Sequence, residues 1–161
     1  MNISYLLIGG NQGERKDQLA LARQKIAAIA GRLLRVSALY ETAAWGRTDQ
    51  ADFLNQALEL ETPFEATVLI DVLLKIEQEM GRRRLEKYGA RIIDIDILFF
   101  NDAIIRLPDL VIPHPEIQNR RFVLAPMAEI APFLKHPVLG RNMQELLEAC
   151  ADPLAVRKLQ L

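Results

Sequence analysis

Ile92-Ile93-Asp94-Ile95-Asp96-Ile97-Leu98-Phe99-Phe100 reads as a β-strand, a short run of β-branched and aromatic residues broken by two acids. Side chains alternate across a strand, so Asp94 and Asp96 project from one face, about 7 Å apart at their Cα atoms. Ile93, Ile95 and Ile97 turn to the opposite, core face. Ile92 and Leu98 share the acidic face, so the carboxylates interrupt an apolar strip instead of continuing a polar one. Unpaired carboxylates placed this way repel, and one tends to stay protonated unless a cation intervenes. A hard divalent cation such as Mg²⁺, which takes oxygen ligands and shares them with phosphates, suits the pair. The plain alternative is the solvent face of a half-buried strand.

Immediately upstream, Arg82-Arg83-Arg84-Leu85-Glu86-Lys87-Tyr88-Gly89-Ala90-Arg91 feeds into that strand with five basic residues and one acid. Part of the run has an ordinary explanation. Arg82 follows a predicted helix, where a cation is favoured by ~0.3–1 kcal/mol, and Arg83 and Lys87 fit a solvated surface. Position gives the run a second meaning, because arginine forks match phosphate oxygens. A polyphosphate held by metal on one side and arginines on the other is the economical reading.

Further outward, Thr62, Pro63 and Glu65 predict a helix N-cap, a proline in the first turn and a capping box. Leu69, Leu73, Ile76 and Met80 form its apolar stripe, and Gly81 marks its exit. Residues 53–61 alternate as a strand, as do 34–40, with Leu34, Val36, Ala38 and Tyr40 on one face. A turn-rich stretch, 42–51, joins them. Leu19, Ala22, Ile26 and Ile29 mark a helix over 14–30 that leaves at Gly31, and 3–9 is a strand. Beyond the acidic strand come extended pieces (103–105, 109–112), a Pro-His-Pro turn and helical patches near 122–130 and 143–149. The order strand, helix, strand, strand, helix, strand predicts an α+β fold: a ferredoxin-like βαββαβ core with a C-terminal extension of short strands and helices. No repeat or linker divides the chain, so residues 1–161 are expected to form a single domain.

At 161 residues, 50% apolar and 25% charged, the composition is that of one globular domain. A formal net charge of −1 argues against coating duplex nucleic acid or an anionic membrane, which demands a basic excess. The charge is unevenly spread, with +4 on residues 82–91 and therefore −5 on the remainder. One small, metal-bound polyphosphate fits that distribution. Cys150 is the single cysteine, so an intrachain disulfide and a cysteine-cluster zinc site are both ruled out. The N-terminus lacks a signal-peptide pattern and no run approaches the roughly 18 apolar residues of a membrane span. A cytoplasmic protein is expected.

Three further features carry candidate chemistry. Phe53 and Asn55 share a strand face, and an aromatic beside an amide suits a planar heterocycle; a core phenylalanine beside a strand-end asparagine is the plainer reading. His114, held between Pro113 and Pro115 and followed by Arg120, Arg121 and Phe122, is placed to present its ring to a ligand, although a turn histidine is more often structural. Gly9-Gly10-Asn11-Gln12-Gly13 lacks the Gly-Lys-Ser/Thr of a phosphate loop and the dinucleotide spacing, and a strand-to-helix turn explains it. No Ser/His/Asp or Cys/His nucleophile stands out.

Together these pieces resemble the 6-hydroxymethyl-7,8-dihydropterin pyrophosphokinase family of folate biosynthesis, over roughly residues 3–140. The most specific stretch is Lys87-Tyr88-Gly89-Ala90-Arg91-Ile92-Ile93-Asp94-Ile95-Asp96-Ile97-Leu98, similar to the family signature. Tyr40-Glu41-Thr42, Trp45-Gly46, Asp49-Gln50, Asp52-Phe53-Leu54-Asn55 and Pro113-His114-Pro115 with Arg120-Arg121-Phe122-Val123-Leu124 match family segments in the same order. The resemblance implies transfer of the β,γ-pyrophosphoryl group of ATP to the pterin hydroxymethyl group, releasing AMP. It makes Asp94 and Asp96 the ligands of two Mg²⁺ ions, and these two with Arg82 and Arg91 the catalytic set. Phe53 and Phe122 would sandwich the pterin and Asn55 would bond its edge, with backbone groups from Thr42 through Ala43 to Trp45. Arg82, Arg91, His114 and Arg120 would hold the phosphates and nucleotide. Glu77, one helical turn before Gly81, matches a family position near the nucleotide, and Arg84 would join on closure.

The turn-rich 42–51 stretch and the 82–91 loop are the two lids expected to exclude water. Expected partners are ATP and the hydroxymethyl-dihydropterin, with no nucleic acid, no membrane and a monomeric chain. Alanines at 43, 44, 51 and 90 stand where the family often has prolines, and Gly10 where it often has serine, which loosens the loops without removing a side chain the chemistry needs. The competing class is a non-catalytic ferredoxin-like small-molecule or RNA-binding module. The RNA version lacks the aromatic-glycine strand motif and the basic charge. A metal-dependent nuclease would use the aspartates without the pterin pocket.

Overall fold

The computed structural model describes residues 1–43, 51–81 and 92–159. In chain order they form β1 (Asn2–Gly10), α1 (Arg15–Ile29), β2 (Arg32–Val36), β3 (Tyr40–Thr42), β4 (Phe53–Thr62), α2 (Ala66–Glu79), β5 (Asp94–Phe100), β6 (Ile105–Leu107), β7 (Leu110–Ile112), α3 (Arg121–Ile130), α4 (Met143–Ala149) and β8 (Val156–Lys158). One antiparallel sheet runs β5-β1-β4-β3-β8, with β2 also paired to β4. Strands β6 and β7 make a separate hairpin. The architecture is mixed α and β, with the sheet between two helical layers.

Alternation along the central strand explains why both faces are covered. On β1, Leu6 and Ile8 point into one apolar cluster with Leu19, Ala22 and Ile26 of α1 and Leu69, Leu73 and Ile76 of α2. Leu7 points the other way, into a second cluster with Ala57, Leu98, Phe99, Val123, Leu124 and Met127 of α3, and Met143 and Leu146 of α4. Residues i and i+1 on a strand face opposite sides, so an unbroken run such as Leu6-Leu7-Ile8 requires apolar partners above and below. The C-terminal helices supply the second cover.

Several local expectations shift. The 34–40 stretch is two strands, not one. Leu33 opposes Leu60 and Arg35 opposes Glu59, so Leu34 is an extra residue that breaks the alternation. Leu34 is consequently exposed and Leu33 packs on the core, while Val36, opposite Leu58, is left exposed on the edge strand. The second helix begins at Ala66 with no side-chain cap, because Thr62 closes β4 and spends its hydroxyl on the Ala30 carbonyl at 2.6 Å. Gly31 does mark the exit of α1. A Cβ there would lie 2.1 Å from the Glu61 carbonyl oxygen, at φ +155, so side chain and backbone cannot both be accommodated. Gly10, read as part of a turn, extends β1 by one residue beyond Gly9. Strand β8, unforeseen in the sequence, adds an edge beside β3.

Candidate active site

Cross-strand register assembles the site. Gly9 of β1 is paired with Asp94 of β5 on one side and with Asn55 of β4 on the other. Tyr40 of β3 opposes Asn55 in turn. Directly opposed residues project from the same face of an antiparallel sheet. Asp94, Gly9, Asn55 and Tyr40 therefore form one row, and Asp96, Leu7 and Ala57 form the next. Phe53, two residues before Asn55, stands on the same face opposite Thr42. Leu7 and Ala57 belong to the cluster under α3, and Phe122 of α3 packs against that cluster. Asp94, Asp96, Phe53, Asn55 and Phe122 thus converge on one face of the sheet.

Glycine at position 9 is what opens this row. A Cβ there would sit 2.2 Å from Asn55 Oδ1 and 3.0 Å from the Leu54 carbonyl oxygen. The Asn55 amide lies over the space that a side chain at position 9 would fill. Asn55 is buried, and its side-chain amide has no hydrogen-bond partner among the described residues. Buried amides are normally satisfied, so one facing an aromatic-flanked surface fits a ligand with a hydrogen-bonding edge.

Asp94 and Asp96 are half-buried, with Ile93, Ile95 and Ile97 in the core as their alternation requires. The strip does not continue regularly past Ile97. Tyr5 opposes Phe99 while Leu6 opposes Ile97, so Leu98 is a bulged residue, and Leu98 and Phe99 both enter the second cluster. Beneath the exposed edge of β5, Glu77 of α2 is buried at 2% exposure and accepts a hydrogen bond from the Ile95 backbone N–H at 2.6 Å. That bond fixes the peptide between the two aspartates from behind.

His114 is fastened alongside β5 by its own backbone N–H, which donates to the Leu98 carbonyl at 3.0 Å. Its Nδ1 accepts from the Glu116 N–H at 3.2 Å, which leaves Nε2 to carry the proton. Burial, and then the Arg120 charge, push its pKa below the ordinary 6.5, while Glu116 and Asp94 oppose that shift more weakly. The imidazole is therefore neutral and a donor near neutral pH. Arg120 stacks over Phe122, its guanidinium carbon 5.8 Å from the ring centroid. A histidine donor, an arginine, an aromatic face and the aspartates gather at one end of the sheet.

Thr42 is buried at 4% exposure, and its hydroxyl donates to the Ala155 carbonyl at 3.0 Å. Ala43 is exposed. Trp45, Arg82, Arg84 and Arg91 lie outside the described residues, as do all of the expected 82–91 lid and residues 44–50 of the other. Among the described residues no group of three or more His, Cys, Asp or Glu side chains gathers as a metal cage. Two carboxylates on one strand face suit Mg²⁺, which is held by one or two carboxylates plus waters and substrate phosphates. Arg15 belongs to no motif, and Glu41 stands out in the sequence only as part of a family-like segment, yet the two pair behind β3. Their pairing spans 26 positions and left no local pattern.

Residues 5–132 match the family model described as 7,8-dihydro-6-hydroxymethylpterin-pyrophosphokinase (HPPK). The 2-amino-4-hydroxy-6-hydroxymethyldihydropteridine pyrophosphokinase of Methylorubrum extorquens is 40% identical over 161 residues, covering 99% of this chain and 100% of its own. The enzyme of the same name from Bacillus subtilis is 42% identical over 133 residues, 80% of this chain and 78% of that one. The crystal structure of Plasmodium falciparum HPPK-DHPS with pteroate shares the fold at a TM-score of 0.76 and 19% identity, over 92% of this chain. The chain spans 42% of the length of that structure. No helix among the described residues is long and apolar enough to cross a membrane. The activity follows from the family match and the full-length relatives: pyrophosphoryl transfer from ATP to hydroxymethyldihydropterin in folate synthesis. On these grounds the chain belongs to the 7,8-dihydro-6-hydroxymethylpterin-pyrophosphokinase family.

Proposed function

We propose that the face bearing Asp94, Asp96, Asn55, Phe53 and Phe122 is where ATP and 6-hydroxymethyl-7,8-dihydropterin meet, with Mg²⁺ held by the two aspartates. The observation that carries this reading is the row Asp94–Gly9–Asn55, which sets a carboxylate and a buried amide on either side of a residue without a side chain. The pterin ring lies between Phe53 and Phe122, and Asn55 bonds its polar edge. Stacking on aromatic faces and edge hydrogen bonding are the two interactions a flat heterocycle offers. The pterin hydroxymethyl group then points along the row toward the aspartates.

In the transfer, the pterin hydroxyl oxygen forms a bond to the β-phosphorus of ATP as the bond from that phosphorus to the α,β-bridging oxygen breaks. AMP leaves, and the hydroxyl proton passes to solvent. Such transfers depend chiefly on positioning and charge neutralisation, and orientation supplies roughly 7–11 kcal/mol of the barrier. Bound Mg²⁺ would neutralise phosphate charge and favour ionisation of the hydroxyl. His114 Nε2–H and the Arg120 guanidinium donate to phosphate oxygens, and Arg82, Arg84 and Arg91, from the basic stretch, are assigned to the same task. Glu77, assigned to the nucleotide side of the site, also acts through β5: its carboxylate accepts from the Ile95 N–H and so helps position the aspartates. Thr42, Ala43 and Trp45 offer backbone groups to the pterin.

The same reading takes residues 1–161 as one pterin pyrophosphokinase domain, a ferredoxin-like βαββαβ core completed by a C-terminal extension, working as a cytoplasmic monomer with two Mg²⁺ ions. The strand order β5-β1-β4-β2 with α1 and α2 on one face supports the core assignment. The test is the nucleotide product. Incubation with ATP, Mg²⁺ and the hydroxymethyl-dihydropterin is expected to yield AMP and the pterin diphosphate. ADP would indicate ordinary γ-phosphoryl transfer, and no pterin-dependent turnover would favour the binding-module alternative.

A further inference from the structure

We propose that Arg15 is a positioning residue for the pterin half of this site, clamping from behind the sheet the two chain segments that carry Thr42 and Phe53; the inference rests on the site reading above. Arg15 is the first residue of α1. Its Nη1 donates to Glu41 Oε2 at 2.7 Å and to the Asp52 carbonyl oxygen at 2.7 Å. Glu41 lies in β3 directly before Thr42, and Asp52 directly precedes Phe53 at the start of β4. One guanidinium therefore ties together the end of β3 and the beginning of β4, the strand ends on which Thr42 opposes Phe53.

The face is the important point. Glu41 opposes Leu54, which belongs to the cluster under α1 and α2, so Glu41 points to the back of the sheet. Its neighbours Tyr40 and Thr42 oppose Asn55 and Phe53, on the front. The clamp does not enter the pterin surface; it sets the backbone from which that surface projects. Glu41 is buried at 8% exposure and also receives Arg157 Nη2 from β8, so a second cation compensates the buried carboxylate. Arg157 is largely exposed and reaches only Glu41 among the described residues, whereas Arg15 is mostly covered and also engages Asp52. Asn11 Nδ2 adds a parallel tie to the Ala51 carbonyl at 3.0 Å. Charge-assisted bonds of this kind are short and directional, and displacement of a binding group by about 1 Å is costly to binding geometry.

Arg15 bonds to β3 and to the residue that opens β4, whereas Asp94 and Asp96 lie on β5 with β1 in between, so its loss should be felt by the pterin and not by ATP. The experiment measures binding of 6-hydroxymethyl-7,8-dihydropterin and of Mg-ATP separately, with turnover, in the full chain and in Arg15→Met, Arg15→Lys and Glu41→Gln. Arg15→Met is expected to weaken pterin binding and raise its KM by about tenfold or more, while ATP affinity stays within about twofold. Arg15→Lys, whose ammonium can still donate to both oxygens, should recover most of the loss. Glu41→Gln, which keeps an acceptor but removes the charge, should fall between. Unchanged pterin binding in Arg15→Met overturns the inference, as does equal weakening of both ligands or failure of lysine to rescue. If the unaltered chain binds ATP and no pterin, the reading of the site itself is wrong, and the inference falls with it.

Discussion

Alanine at position 9 separates the proposed pterin site from any alternative with unusual economy. Gly9 lies in β1 without a positive φ, so the backbone itself accepts alanine. The difficulty is space. The new methyl carbon would stand 2.2 Å from Asn55 Oδ1, where ordinary contact begins near 3.4 Å, so the amide must retreat by about 1 Å or rotate away. The Leu54 carbonyl oxygen at 3.0 Å is backbone and gives little relief. If Asn55 makes two hydrogen bonds to the pterin edge, each worth ~0.5–1.5 kcal/mol net, their loss costs about 1–3 kcal/mol. At about 1.4 kcal/mol per decade, that is roughly 5- to 150-fold in pterin affinity. Crowding adds ~1–3 kcal/mol to the cost of folding, visible as a lower urea midpoint. Titration of Gly9→Ala with pterin and with Mg-ATP, under conditions where it is fully folded, should show the first weakened and the second retained. Pterin affinity within about twofold of the unaltered chain would refute the placement of the pterin edge against Asn55.

Other consequences are equally direct. Asp94→Ala or Asp96→Ala should abolish AMP formation while leaving circular dichroism and urea midpoint near those of the unaltered chain; near-normal turnover in either would sink the metal assignment. Glu77→Ala strips the Ile95 N–H of its acceptor in a buried setting and should destabilise the fold by ~1.5–3 kcal/mol, read from urea unfolding, with Glu77→Gln costing less because an amide oxygen can still accept. His114 and His136 are both held below the ordinary 6.5, mainly by burial, so the unfolded chain binds protons there that the folded chain refuses. Their stabilising contribution is complete above about pH 6.5 and is lost as pH falls toward their folded-state values. His136→Asn, whose oxygen can accept from the Val138 and Leu139 N–H groups as Nδ1 does, should flatten that loss. An unchanged slope would contradict it.

Much of this molecule is written locally. The apolar stripe Leu69, Leu73, Ile76 selects one helix face because 3.6 residues complete a turn, and all three are fully buried. The alternation through Ile93, Asp94, Ile95 and Asp96 selects strand and puts both acids on one side, for the same geometric reason at period two. Two carboxylates at that spacing suggest a cation from the chain's chemistry alone, and the resemblance to pyrophosphokinases added the assignments that spacing leaves open.

What local pattern cannot carry is register. The bulges at Leu34 and Leu98 arise from pairing with strands tens of residues away, and each reverses the face expected of the residues beyond it. Thr62 looks like a helix cap until the Ala30 carbonyl claims its hydroxyl. Glu77 and Ile95, 18 positions apart, and Arg15 and Glu41, 26 apart, meet only because α2 underlies the edge of β5 and α1 starts behind the end of β3. The sequence by itself determined the helices, most of the strands and the identity of the paired carboxylates, since those depend on neighbours three or four residues away at most. Only the tertiary structure decided that Gly9 stands between Asp94 and Asn55, and that α3 and α4 cover the second face of the sheet, because both follow from which strands and helices pack together.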